Sequence, residues 1–266
     1  MTIVDSQSKI LSNEWVNNEY KHMVVYVGEK AASVEPGQFF NLLCPQTESD
    51  KPYFRRPMST YFANPKTGQV EFLYKVTGSG TRTLAMMQAE QQLPVLGPLG
   101  KGFTLKPEYK HILVLGRGVG LATLAPLAES AAEKGIKVTA ILSARDQHSI
   151  MSQHRFSATG ASVIEVIDSN KSSDVENVKN IILTRHKSSP FDAVFTCGST
   201  RLTHLLQDLV NQLNIEGEVA LEQQMACGIG MCYCCIKPFK EEGESEPKSK
   251  RVCIDGPVFN IKEVIL

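Results

Sequence analysis

The chain has 266 residues, 42% of them apolar and 21% charged, with 28 basic side chains balanced by 28 acidic ones. That length exceeds one ordinary domain and predicts two domains with a small appendage. The balanced charge lacks the basic footprint of a nucleic-acid binder or of a protein held on an anionic membrane. The longest apolar stretch, residues 112–128, is interrupted by Arg117 and three glycines, too short and too polar to span a bilayer. The opening residues, MTIVDSQSKILSNEW, show no basic segment followed by an apolar core. No signal peptide is therefore expected, and the expected location is the cytoplasm.

Residues 1–106 read as short β runs at 22–27, 38–44, 56–63 and 69–76, with a turn at Asn64-Pro65-Lys66-Thr67-Gly68. They predict a small antiparallel β-barrel, interrupted by one helix at 81–90 that opens at Gly78-Ser79-Gly80-Thr81. Ahead of the strand 69–76 stands Arg55-Arg56-Pro57-Met58-Ser59-Thr60. Alone, such a basic pair is commonly a solvated strand end, and the glycine turn an ordinary Thr-capped helix start. Taken together, an arginine and a helix start with free N–H groups would form a clamp for dinucleotide phosphates.

From His111 the pattern changes to alternating strands and helices, and a doubly wound parallel sheet is expected over 107–220. Strands are predicted at 111–116, 137–143, 162–167 and 192–197, and helices at 121–134, 174–186 and 200–213. Gly116, Gly118 and Gly120 form a Gly-x-Gly-x-Gly skeleton directly after the first strand, the setting in which a nicotinamide-nucleotide phosphate approaches backbone. His111, His148 and His186 read as surface or strand-end residues, and no side chain is assigned an acid or base role. Cys44 and Cys197 lie in apolar runs and read as small buried hydrophobes.

The tail, 221–266, is dense in cysteine and glycine, then polar, with EEGESEP as an expected exposed loop. It is too small for a core of its own and needs a metal centre or docking to hold it. Five of the seven cysteines fall here, which argues against a disulfide framework and for metal or cluster ligation. Cys227, Cys232 and Cys235 follow C-x₄-C-x₂-C, and Cys253 follows after 17 intervening residues, the plant-type spacing of a [2Fe–2S] centre. Cluster sulfurs are anionic, so the wrapping loop must turn N–H groups inward, which Gly228 and Gly230 permit. A structural zinc site is the alternative, but zinc ribbons use two paired C-x₂-C knuckles and Cys253 has no such mate. Cys234 could replace a neighbour as ligand; the spacing leaves it a bystander.

The three regions together resemble the electron-transfer subunit of two-component dihydroorotate dehydrogenase (class 1B), within the ferredoxin–NADP⁺ reductase superfamily. The resemblance rests on Arg56-Pro57-Met58-Ser59, Leu73-Tyr74-Lys75, Gly80-Thr81 and Gly97-Pro98-Leu99-Gly100-Lys101-Gly102-Phe103. It continues through Cys197-Gly198, Glu222, Met225, the four cysteines and Asp255-Gly256-Pro257-Val258-Phe259. It implies FAD held by the Arg-Pro-x-Ser box, the Leu-Tyr-Lys segment and the Gly-Thr pair. It also implies [2Fe–2S] on Cys227, Cys232, Cys235 and Cys253, and a small C-terminal cluster domain behind the two larger ones. An FMN-containing catalytic subunit that oxidises dihydroorotate, in pyrimidine biosynthesis, is the implied partner, in a hetero-oligomer with two of each subunit. Electrons would pass through the cluster and FAD to NAD⁺.

Two places depart from the family pattern. Its first nucleotide-domain strand leads into Gly-Gly-Gly-Ile-Gly and two prolines, where this chain has Gly116-Arg117-Gly118-Val119-Gly120-Leu121-Ala122-Thr123. Cys197-Gly198 is followed by Ser199-Thr200, where a proline is expected soon after. Arg117 contacts a nucleotide phosphate, obstructs that site, or points to solvent, so NAD(P) binding stays open at this stage. Two alternatives remain: a reductase subunit for another partner oxidoreductase with NAD(P) binding altered or lost, and a zinc-stabilised binding protein without redox chemistry.

Overall fold

The computed structural model describes residues 3–241 and 243–266. Met1 and Thr2 of the opening segment, and Glu242 of the tail loop, lie outside the described residues. The chain divides into two compact units: up to Gly102 with Gln223–Ile236 and Arg251–Pro257, and Phe103–Glu222 with Lys237–Lys250 and Val258–Leu266.

The first unit is built on seven strands: β1 (Val4–Trp15), β2 (Tyr20–Tyr26), β3 (Phe39–Leu42), β4 (Arg56–Ser59), β5 (Phe62–Asn64), β6 (Gln69–Lys75) and β7 (Gln92–Leu99). Their order is β4-β3-β7-β1-β2-β6-β5, antiparallel throughout. β4 and β5 lie at opposite margins of this order, yet only Thr60 and Tyr61 separate them in the chain. Two extended residues reach about 7 Å. The sheet must therefore curl until its margins meet, which is the expected barrel. The Thr60 N–H donates to Gln38 O at 3.0 Å and the Tyr61 N–H to Glu71 O at 2.8 Å, closing the seam. Inside lie Ile10, Met23, Val25, Phe40, Leu42, Val70, Phe72 and Leu93. Met23 and Val25 follow the two-residue period that turns one strand face inward.

Three details differ from expectation. The predicted strand 56–63 is two strands, β4 and β5, because the corner at Thr60-Tyr61 carries the chain from one margin to the other. β1 and β7 carry weak sequence signals: β1 buries Ser8 and Asn13 among its inward positions, and β7 contains Pro94, Gly97 and Pro98. The helix α1 (Ser79–Ala85) stops short of residue 90, where Glu90 turns the chain at φ 74°.

In the second unit the alternation holds: β8 (His111–Arg117), α2 (Gly120–Glu133), β9 (Lys137–Ala144), α3 (Gln153–Ala158), β10 (Ser162–Ile167), α4 (Val175–Ser188), β11 (Ala193–Cys197), α5 (Thr200–Leu213) and β12 (Glu216–Ala220). Those five strands pair in parallel in the order β10-β9-β8-β11-β12. β8 is buried from His111 through Gly116, as a strand covered on both faces must be. The order reverses between β8 and β11, the switch point where open α/β sheets accept ligands beyond the carboxyl ends of the strands.

The tail is not set off as a third unit over 221–266. It forms the ribbon β13 (Ile236–Phe239) and β14 (Lys248–Arg251), the single turn α6 (Val252–Asp255) and β15 (Val258–Asn260). β15 joins the parallel sheet as an antiparallel strand beside β12, while the cysteine segments belong with the barrel. So short a segment buries too little apolar surface to stand alone, and its parts dock instead. Among the described residues no helix is long and apolar enough to cross a membrane.

Candidate functional site

Arg55 and Arg56 are adjacent but differ in use. Arg55 Nη1 donates to Asn41 O and Pro94 O, each at 3.2 Å, and Nη2 reaches Asp5 Oδ1 at 3.1 Å, so this side chain ties β3, β7 and β1 together. Arg56 bonds only to carbonyls, Phe54 O at 2.5 Å and Arg55 O at 3.4 Å, and has no acidic partner among the described residues. Its arm lies along the first turn of α1, where a Cβ on Gly80 would stand 2.7 Å from Arg56 Nε. Arg56, Pro57, Met58 and Ser59 are all half-buried on a sheet margin. Directly after them Thr60 Oγ1 is buried with no hydrogen-bond partner among the described residues. A buried hydroxyl in that condition needs a further partner.

The remaining barrel residues hold this turn in place. Thr81 Oγ1 accepts the N–H groups of Thr77 at 2.9 Å and Gly78 at 3.1 Å, folding the turn before α1. The N–H groups of Ser79, Gly80 and Thr81 are first-turn donors without intrahelical acceptors. The Tyr74 hydroxyl donates to Asn13 Oδ1 at 2.9 Å, and Asn13 Nδ2 donates to Leu84 O and Met87 O, which anchors the far end of α1. Burial pushes the Tyr74 phenol well above its ordinary range. Leu73 is buried beside it, and Lys75 Nζ faces Glu19 at 3.3 Å.

The cysteine loop lies in the same unit. The Cys232 N–H donates to Cys227 Sγ at 3.5 Å, and the Cys253 N–H to Cys235 Sγ at 3.4 Å. Gly228 and Gly230 sit at φ +74° and +79°, the left-handed conformations that turn successive N–H groups toward one centre. Burial raises the Cys227 thiol, but the N–H groups of Cys232 and Ile229, the Cys232 side chain and the Met231 N–H outweigh it and bring it to about 7. Cys253 is pushed up to about 12, by burial first and by Cys235 beside it. The thiols stand as two pairs, 227 with 232 and 235 with 253. Among the described residues no three His, Cys, Asp or Glu side chains form a ready-made metal group. Soft sulfur donors, N–H groups aimed at them and left-handed glycines fit an anionic iron–sulfur centre. Cys234 Sγ turns instead to Gln224 O, at 3.8 Å.

Both cysteine segments are braced from below. Val252 N–H donates to Cys235 O at 3.1 Å, and Arg251 Nη1 to Gly230 O at 3.3 Å. The Lys101 N–H donates to Gly256 O at 2.6 Å, where a Cβ on Gly100 would strike Pro257 at 2.5 Å. The barrel end at β7 thus receives the segment that follows the fourth cysteine.

In the second unit the glycine loop is close-packed. A Cβ on Gly120 would stand 2.4 Å from Cys197 O, and one on Gly198 2.4 Å from Arg117 O. α2 begins without a side-chain cap or a first-turn acid, and its Leu121 and Ala122 N–H groups turn back to Gly118 O and Val119 O at 3.2 and 2.9 Å, which leaves the Gly120 N–H as the donor at the turn. Arg117 turns along the carboxyl edge of the sheet rather than to solvent. Its Nη1 donates to Ser143 Oγ at 2.9 Å, and its fork grips Asp168 at 3.1 and 2.6 Å. That guanidinium, with Ser173 and Arg201, holds the Asp168 carboxyl below the usual range. Burial raises the Cys197 thiol to about 12, with Glu222 adding to the rise, and burial raises Glu222 itself.

Residues 222–265 match the model of the iron–sulfur cluster binding domain of dihydroorotate dehydrogenase B. The chain is 29% identical over 259 residues to the dihydroorotate dehydrogenase B (NAD(+)) electron transfer subunit of Desulforamulus reducens, covering 97% of each. It is 32% identical to the subunit of that name from Bacillus caldolyticus, covering 87% of each. The chain belongs to the family of dihydroorotate dehydrogenase B electron transfer subunits. Its fold is that of a solved NADH-dependent reduced ferredoxin–NADP oxidoreductase, with a TM-score of 0.81, 24% identity, and coverage of 98% and 91% of the two chains.

Within this family architecture the residues expected from sequence fall into three groups. Arg56 and Gly80 touch, and Pro57 to Ser59 continue the same strand. Tyr74 and Thr81 are nearby, but their hydroxyls are spent on structure. Gly116, Gly118 and Gly120 form the turn into α2, with Arg117 drawn aside by Asp168. Three residues were not singled out from the sequence: Asn13, Asn41 and Asp168. Each is paired with a partner distant in sequence, and only a polar residue at an inward strand position hinted at Asn13 and Asn41.

Proposed function

We propose that the chain relays electrons between a catalytic subunit of dihydroorotate dehydrogenase type and NAD(P), using FAD on the barrel and [2Fe–2S] on the cysteine loop. FAD exchanges two electrons as hydride and [2Fe–2S] one at a time, so their pairing in one chain converts pair transfer into single-electron transfer. The reading is carried by one observation: the unpaired Arg56 along the Gly80 turn and the N–H-lined cysteine loop occupy the same compact unit.

In this reading Arg56 and the first-turn N–H groups of α1 bind the flavin pyrophosphate, and Ser59, Thr60 and Lys75 orient the rest of the cofactor. Tyr74 and Asn13 hold α1 in place. Cys227, Cys232, Cys235 and Cys253 ligate the cluster, and Gly228 and Gly230 keep N–H donors on its sulfurs. The Gly116–Gly120 turn at the start of α2 receives the nicotinamide-nucleotide phosphates. In this reading the organic acid is bound by the catalytic subunit, and the chain works in the cytoplasm with two copies of each subunit in the complex.

The test is anaerobic purification followed by iron, sulfide and flavin analysis and stopped-flow reduction. One FAD, about two iron and about two acid-labile sulfide per chain are expected, with flavin bleaching by NADH. A colourless, zinc-containing protein would sink the reading.

A further inference from the structure

Asn41 is completely buried in the middle of β3, between the two cofactor sites of the first unit. Across the sheet its register partner is Pro57, inside the Arg-Pro-x-Ser strand, and its backbone carbonyl accepts Arg55 Nη1. Its side chain faces the other way, toward the first cysteine. Nδ2 lies 3.4 Å from Ala226 O, on one side of Cys227, and 2.7 Å from where a Cβ on Gly228 would stand, on the other side. Turning the amide over would set Oδ1 against a carbonyl oxygen, so this orientation is the one the surroundings allow. Oδ1 has no partner among the described residues.

A carboxamide placed so makes one long hydrogen bond and leaves an acceptor unspent, in a position where an apolar side chain would cost nothing to bury. The retained polar group must serve something at the loop it faces. Gly228 matches it: the loop has no side chain there, which lets the amide nitrogen approach the backbone around Cys227. The observed bond goes to Ala226 O rather than to sulfur, so the amide acts through the backbone that carries Cys227, and a donor dipole beside a cluster ligand stabilises the reduced, more negative state and raises its potential.

We propose that Asn41 is a positioning residue for flavin-to-cluster electron transfer: it couples the flavin-binding strand to Cys227 and sets the potential of the cluster from that side. This rests on the cofactor assignment above, and the experiment separates the two. In the holoprotein, N41L removes all polarity at near-constant volume, and N41D keeps the shape but replaces the N–H donor with an acceptor. Iron, sulfide, flavin content and the potentials of both cofactors are measured by redox titration with electron paramagnetic resonance. Both variants are expected to keep FAD, its potential and a full cluster. The cluster potential should fall, further in N41D than in N41L, by on the order of a tenfold change in the one-electron equilibrium, about 59 mV. Unchanged cluster potential and resonance in both loaded variants would overturn the proposal. Should either variant fail to load, N41S, with a smaller hydroxyl in place, is read in the same way. Loss of the cluster from all three with flavin intact would make Asn41 a support of the loop only, and would also overturn it. A wild type without flavin or cluster would instead defeat the underlying cofactor assignment.

Discussion

Gly80 and Arg56 are matched in shape: a Cβ on Gly80 would come within 2.7 Å of Arg56 Nε and 3.0 Å of its Cγ. The clash falls on a flexible arm rather than on backbone, so Gly80→Ala displaces the arginine without unfolding α1. On the proposed clamp, Arg56→Ala would remove a charge-assisted phosphate contact worth about 1.5–3 kcal/mol. Both variants are expected to lose FAD on dilution and gel filtration, Arg56→Ala more than Gly80→Ala. Arg55→Ala should behave differently, lowering the melting temperature because it unties β3, β7 and β1. Equal flavin retention in Arg56→Ala and the wild type would remove Arg56 from the clamp.

For the cysteine loop the geometry separates neighbours. Cys227 and Cys235 accept N–H groups from Cys232 and Cys253, whereas Cys234 turns to Gln224 O. Serine at 227, 232, 235 or 253 is expected to abolish the visible spectrum of the cluster, and Cys234→Ser to leave it intact. Retention in Cys235→Ser with loss in Cys234→Ser would reverse the ligand choice.

His111, at the start of β8, bonds Thr139 Oγ1 at 2.9 Å and Ser189 Oγ at 3.0 Å, and is almost fully buried. Burial lowers its pKa, with Lys137 adding to the effect, against Ser189, Pro190 and Asp192. The unfolded chain therefore binds this proton more readily than the folded one. The stability it contributes is complete above the ordinary histidine value and is lost as pH falls through the lower native value. His111→Gln keeps a hydrogen-bonding side chain without a titrating ring. Between about pH 7.5 and about pH 5.5, around the ordinary value, the wild type should lose more melting temperature than this variant. Identical slopes would contradict the assignment.

How far these features were legible differs by mechanism. The parallel sheet was visible because β8, β9 and β11 are buried on both faces and read as apolar runs between amphipathic helices. The iron–sulfur domain was visible because cysteine spacing encodes a cluster loop, and residues 222–265 match such a domain. β1 and β7 were not, since Asn13 and Pro94 look like breakers until Tyr74 and Arg55 are seen to use Asn13 and the Pro94 carbonyl. The tail stood out because composition changes there, and residues 222–265 match a family domain of their own. Docking of its cysteine segments depends on Asn41, Lys101 and Gly100, which lie more than a hundred residues away and leave no local trace.

Arg117 sets the final test. Where the family pattern has glycine, its guanidinium is held by Asp168 at 3.1 and 2.6 Å and by Ser143 at 2.9 Å, bonded to the sheet edge rather than to the turn that opens α2. The Asp168 carboxyl is lowered by Arg117 first, so the pair is fully charged at neutral pH and its contribution is lost only as pH falls below the ordinary carboxylate range. A paired arginine leaves the Gly116–Gly120 turn open to a nucleotide. Rapid flavin bleaching by NADH is therefore expected of the wild type, and Arg117→Gly should alter the apparent KM rather than create the activity. Asp168→Ala frees the guanidinium beside the turn and should also move KM, with little change in the limiting rate of flavin reduction. Stopped-flow measurements with NADH and NADPH on the three proteins decide the matter. If neither nucleotide reduces the wild-type flavin well above about 1 mM, the upper end of usual KM values, while dithionite still does, the NAD(P)-linked step fails. In that case reduction of Arg117→Gly by NADH would identify Arg117 as the obstruction.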